Sequence, residues 1–179
     1  MKKRVLSGLS LAAVVAFSSE VALLLPAYAQ KSASSSQSMQ NVDPVKAWQM
    51  YLMAGNASLH KRDMARALYY FKLCEGCARK IPGQSGIDKL DASLKIIASV
   101  YNETRHYTEA AQYGRQVVEL NKASHQPPGD IAVNLNALAK MLKKAGKYSE
   151  SEQAYKEALA VLGPKLQASQ DAATIHDNL

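Results

Sequence analysis

The sequence predicts an all-α fold: a right-handed superhelical solenoid of antiparallel helix pairs, with about three repeats and a partial fourth. Three observations carry this expectation. The 179 residues are 47% hydrophobic and 21% charged, with only 9 Gly and 6 Pro, a composition of ordinary globular chains that favours helices over turn-rich architectures. From Asp43 onward, apolar residues recur at three- and four-residue spacing, which gathers them on one helical face. Finally, one helix-pair unit recurs three times with a period of about 42 residues, the mark of a stacked repeat array.

The first 29 residues stand apart from that pattern. Lys2-Lys3-Arg4 precedes an apolar run from Val5 to Leu25 and then Ala27-Tyr28-Ala29, the basic, apolar and small-residue succession of a signal peptide. Cleavage is expected after Ala29 and the chain is expected to be exported, periplasmic or secreted. The alternative is an uncleaved membrane anchor, because the apolar run is long enough to span a bilayer; Glu20 and Pro26 weigh against it. Cleavage leaves 19 Lys and Arg against 14 Asp and Glu, a mildly basic chain expected to make no membrane contact. Residues 30–43 begin QKSASSSQSMQN, too poor in apolar groups to offset the entropy of ordering, and are expected to form a flexible Ser/Gln-rich tether.

The helical repeat domain is expected over residues 44–179, with units near 46–80, 90–122 and 130–163 and a partial unit at 171–179. KRDMARALYYFKLC (61–74), RHYTEAAQYGRQVV (105–118) and GKYSESEQAYKEAL (146–159) align as three second helices, each with a small residue at the same place: Ala67, Ala110 and Ser151. A first helix lies upstream of each, with Gly55, Ala98 and Ala139 at equivalent places. Two antiparallel helices approach closely only where side chains are small, so these residues are expected to face one another across each pair. Each pair leaves an apolar face that the next pair covers. Residues 171–179, DAATIHDNL, align with 130–138 as the opening of a further first helix; nine residues do not hold a helix alone.

The third unit, VNLNALAKMLKKAGKYSESEQAYKEALAVLG (133–163), resembles the tetratricopeptide repeat. Its Leu-x-x-Leu-Ala, Gly-Lys-Tyr and Ala-Tyr-x-x-Ala-Leu stand where that family has them. The longer period and the Leu135-Asn136 pair are similar to the repeats of kinesin light chains. Ser151 replaces the usual Ala, Gly114 the usual aromatic residue of the second unit, and Cys74 takes a small-residue position in the first. The resemblance implies a non-enzymatic interaction module whose groove, lined by the first helices, holds an extended peptide.

Carried onto this sequence, the peptide-binding positions are Asn56 in the first unit, Lys95, Ser99 and Asn102 in the second, and Asn136, Lys140 and Lys143 in the third. Lys140, Lys143, Lys144 and Lys147 share one helical face, so the groove is basic toward its C-terminal end and suits an acidic or polar segment of a partner protein. Lysines there also complement the helix macrodipole, which is the competing explanation. Nucleic acid is not an expected partner, because no aromatic platform alternates with the basic residues. Self-association through an unsealed last repeat is the alternative function.

Enzymatic activity, cofactors and metals are not expected: no G-x-x-x-x-G-K-[ST], G-x-S-x-G or H-E-x-x-H occurs, and His60, His106, His125 and His176 share no spacing. Cys74-Glu-Gly-Cys77 has the spacing of a thiol-redox motif, half a zinc site or a haem attachment signal. Residue 78 is Ala rather than His, no second ligand pair exists, and the motif falls late in a second helix instead of at a helix N-terminus. Cys74 and Cys77 are expected to pack between helices with an optional local disulfide; redox chemistry is the remaining alternative.

Overall fold

The computed structural model describes residues 43–166, so the expected signal peptide, most of the tether and the partial fourth unit lie outside the described residues. Six helices follow in sequence: α1 (Pro44–His60), α2 (Met64–Ala78), α3 (Gly83–Glu103), α4 (Tyr107–Ala123), α5 (Pro128–Lys144) and α6 (Tyr148–Leu166). No strand occurs among the described residues. Helices pack on their neighbours in chain order, so three hairpins, α1–α2, α3–α4 and α5–α6, stack as a solenoid.

Local chemistry sets the helix starts. The Asp43 carboxylate accepts the Val45 N–H at 3.0 Å and Pro44 occupies the first turn, so Asp43 is the cap of α1 and not the last residue of the tether. Asp63 caps α2 in the same way through Arg66 N–H at 3.0 Å. Prolines open the other two first helices, Pro82 before α3 and Pro127-Pro128 at α5. Helix α3 starts well ahead of residue 90, where the second unit was expected. Gly86 permits this: a Cβ there would overlap the Ile81 carbonyl, so only glycine lets the first turn of α3 fold against the preceding turn.

The three hairpin turns are copies of one another. The N–H of Asp63 donates to the Ser58 carbonyl, that of His106 to Tyr101 and that of Lys147 to Leu142, at 2.9, 2.8 and 2.9 Å. Each six-residue closure needs a left-handed residue just before its donor. Gly146 fills that place in the third turn with φ 76°, but Arg62 and Arg105 fill it in the first and second with φ 58° and 63°. A side chain in this region costs about 1–2 kcal/mol.

Two apolar clusters make the core. One joins Ala67, Phe71 and Cys74 of α2 to Ile97 and Val100 of α3, with Trp48, Tyr51, Leu52 and Leu59 of α1 against them. The other joins Ala111 and Val118 of α4 to Leu135, Leu138 and Leu142 of α5 and to Ala154, Tyr155 and Ala158 of α6. The small residues Gly55, Ala67, Ala98, Ala110, Ala139 and Ser151 are all buried. At Gly55 the closest neighbour is the ring of fully buried Phe71, one turn beyond Ala67; a Cβ would stand 2.5 Å from it. At Ser151 the hydroxyl donates to the Ala139 carbonyl at 2.8 Å, which satisfies a buried polar group across the third hairpin. Gly114, the departure from the repeat pattern, lies where α4 meets α5; a Cβ there would be 3.3 Å from Leu138.

Gly55→Ala is expected to lower stability by about 1–3 kcal/mol, because the fully buried Phe71 ring would have to shift; a denaturant midpoint near wild type would contradict this packing. Arg62→Gly and Arg105→Gly are each expected to raise stability by about 1 kcal/mol through relief of the left-handed backbone, read as a higher melting temperature.

Candidate functional site

The residues proposed from sequence as a groove fall into two recesses and a remainder. The first recess, about 360 Å³, is lined by Asn102 from α3, Ala137, Lys140, Met141, Lys143 and Lys144 from α5, and Tyr155 from α6. It brings Asn102, Lys140 and Lys143 together. Lys144 Nζ donates to Asn102 Oδ1 at 3.0 Å and stands over the Tyr107 ring, 5.6 Å from its centre. The lysine is thereby steered by an amide and an aromatic face, with no carboxylate in the recess lining to neutralise it. Lys140 and Lys143 are both exposed.

The second recess, about 330 Å³, holds Lys95 and Val133 with Asp88, Asp91, Asn121, Asp130 and Asn134. Here the Lys95 ammonium is bound by the Asp91 carboxylate at 2.7 Å, so it is not the open cation that the groove pattern suggested. The amide of Asn121 donates to Asp91 at 2.5 Å and to the Val117 carbonyl at 2.8 Å, and its oxygen accepts from Asn134 at 3.3 Å. This network ties α3, α4 and α5 together. Sequence reasoning missed it, although one signal existed: Asn121 falls on the buried stripe of α4 with Val117 and Val118, where a polar residue needs a partner. Asn56 and Ser99 are exposed and Asn136 is half-buried; none of the three lines either recess.

Cys74 and Cys77 are free thiols in the structure. Cys74 turns into the core, fully buried, and donates to the Trp48 carbonyl at 3.5 Å, while Cys77 is half-buried. Burial pushes the Cys74 thiol up to about 12, and burial raises that of Cys77 as well. Both stand in the last turn and a half of α2, at the negative end of its dipole. That environment disfavours the thiolate that redox chemistry needs. Among the described residues no group of three or more His, Cys, Asp or Glu could hold a metal ion, and no helix is long and apolar enough to cross a membrane.

Residues 135–162 match the family model of the tetratricopeptide repeat. Solved structures extend the tetratricopeptide fold to the rest of the described chain. The N-terminal domain of stress-induced protein-1 (STI-1) from C. elegans is 14% identical with a TM-score of 0.59, over 76% of this chain and 98% of that one. The TPR domain of Arabidopsis FLU is 18% identical with a TM-score of 0.55, over 66% and 97%. BtubC (BKLC) from P. vanneervenii is 19% identical with a TM-score of 0.60, over 85% of this chain and 61% of its own. No curated protein sequence matches significantly. The match to the tetratricopeptide repeat indicates a protein-protein interaction module.

In the native protein, Cys74 is expected to resist a thiol reagent that modifies Cys77 slowly, and to react once the chain unfolds. Its raised value also carries a sign for stability. The buried neutral thiol contributes below pH 9, where the unfolded thiol is still protonated, and the contribution is lost as pH rises through about 12. Melting temperature should therefore decline above pH 9, and less steeply in Cys74→Ala.

Proposed function

We propose that this chain is an exported, non-enzymatic adaptor whose first-helix face holds an extended acidic segment of another envelope or secreted protein. The observation that carries it is the recess in which Asn102 meets Lys140, Lys143 and Lys144. Three ammonium groups with an amide beside them offer a peptide carboxylate charge-assisted hydrogen bonds, and the amide orients the neighbouring backbone. Ala137 and Met141 add an apolar floor for the stem of an Asp or Glu side chain. Export rests on the signal-peptide pattern of residues 1–29, and the anchored form remains its competitor.

Lys140→Glu with Lys143→Glu is expected to weaken binding of a labelled Asp/Glu-rich peptide by tenfold or more, about 1.4 kcal/mol, at unchanged helicity. Equal affinity in wild type and variant would sink the recess as the site. Light scattering in the same samples separates the alternative: molar mass that grows with concentration while peptide binding is absent indicates self-assembly. The mass of the mature protein from the extracytoplasmic fraction tests export, with a chain starting at Gln30 expected and a full-length, membrane-associated chain contradicting cleavage.

A further inference from the structure

The lysine recess and the recess around Lys95 are the two ends of one groove. Both are walled by α3 and α5, and these helices are tied side by side at both ends. At their carboxyl ends Lys144 donates to Asn102 at 3.0 Å. Toward their amino ends Asn121 of α4 joins Asp91 of α3 to Asn134 of α5. The walls are continuous between these ties. On α5, Val133 lines one recess and Ala137 and Met141 the other, and residues four apart lie one above the next on a helix. On α3, exposed Ser99 stands one turn from Lys95 and one turn from Asn102. From Asp91 to Asn102 the helix axis rises about 16 Å, a length that about five residues of an extended chain cover.

The two ends carry opposite charge. The lysine recess has Lys140, Lys143 and Lys144 and no carboxylate in its lining. The second recess sets Asp88, Asp91 and Asp130 against the single ammonium of Lys95. Asp91 holds that ammonium at 2.7 Å, whereas Asp88 accepts the uncharged Gln84 amide at 2.8 Å and Asp130 is exposed, so both keep their charge. At physiological salt the screening length is about 8 Å, half the distance between the ends. A carboxylate seated among the lysines is therefore screened from Asp88 and Asp130, while one at the far end meets them directly. We infer that Asp88 and Asp130 determine specificity: they confine the acidic part of the bound segment to the lysine end and favour a Lys or Arg about five residues away. The groove reads the order of charges and not negative charge alone, because discrimination needs a repulsive element beside the attractive one. This deepens the adaptor reading and rests on it, since the lysine recess remains the anchor.

Three labelled nine-residue peptides test it on the full-length protein at physiological salt. Each has Asp-Asp at one end and Gly and Ser in the middle; the other end is Lys-Lys, Gly-Gly or Asp-Asp. Wild type should bind the Lys-Lys peptide several-fold more tightly than the Gly-Gly peptide, and the doubly acidic peptide no more tightly than the Gly-Gly one despite its extra charge. Asp88→Asn with Asp130→Asn should remove that ranking at unchanged helicity, so that the doubly acidic peptide binds at least as tightly as the Lys-Lys one. Asp130 also stands in the first turn of α5, where a carboxylate favours the helix; Asp88→Asn alone is measured beside the pair and should give part of the change. If wild type ranks the peptides by negative charge alone, or the Asn variants keep the wild-type ranking, the charge-order reading is overturned, and loss of all binding in Lys140→Glu with Lys143→Glu leaves the recess standing. If no peptide binds wild type, both readings are overturned.

Discussion

How closely two helices can meet is the constraint from which the rest of this molecule follows. Gly55 lies under the Phe71 ring in the first hairpin and Ala139 under Ser151 in the third, while Ala98 and Ala110 are both buried in the second. Ser151 shows how a substitution inside that limit is accommodated. Its hydroxyl donates its proton to the opposing backbone carbonyl, so the third hairpin gains a hydrogen-bonded tie between its two helices. Once the helices are that close, larger neighbours such as Phe71, Leu135 and Leu142 seal the layer, and the polar ends of the first helices are left aligned at the surface.

Much of this was legible in the sequence, because a repeat states its geometry several times over. The small residues, the Gly-Lys-Tyr turn and the period identified three hairpins, and the third matched its family closely enough to be read position by position. The less legible parts share a physical cause. The early start of α3 depends on Gly86 lying against a carbonyl, which no periodicity reports. The network of Asp91, Asn121 and Asn134 joins residues on three helices, and such pairing is invisible until the hairpins are stacked.

The candidate site was legible by halves. Counting from the small residue selected Asn102, Lys140 and Lys143, which do converge, because helical spacing and the register between hairpins are both set by the repeat. The same count selected Lys95, whose charge is already engaged by Asp91 one turn away, and Asn56, Ser99 and Asn136, which belong to neither recess. Position on a face is a property of the repeat, whereas the availability of a side chain is a property of its neighbours. Gly114 makes the same point: read as a missing aromatic, it is the place where α4 and α5 come together.

The division of the core into two clusters has a consequence for how order is distributed along the chain. Among the described residues the clusters share α4, which gives Ala111 and Val118 to one side and Tyr113 to the other. In a chain of nearest-neighbour couplings, such a junction is where cooperativity is weakest. Amide hydrogens of α1 to α3 and of α5 to α6 should therefore fall into two protection classes with separate opening energies. The Asp91, Asn121 and Asn134 network is the polar stitch that holds the two blocks in register, and a partner spanning α1 to α5 would raise the correlation between them.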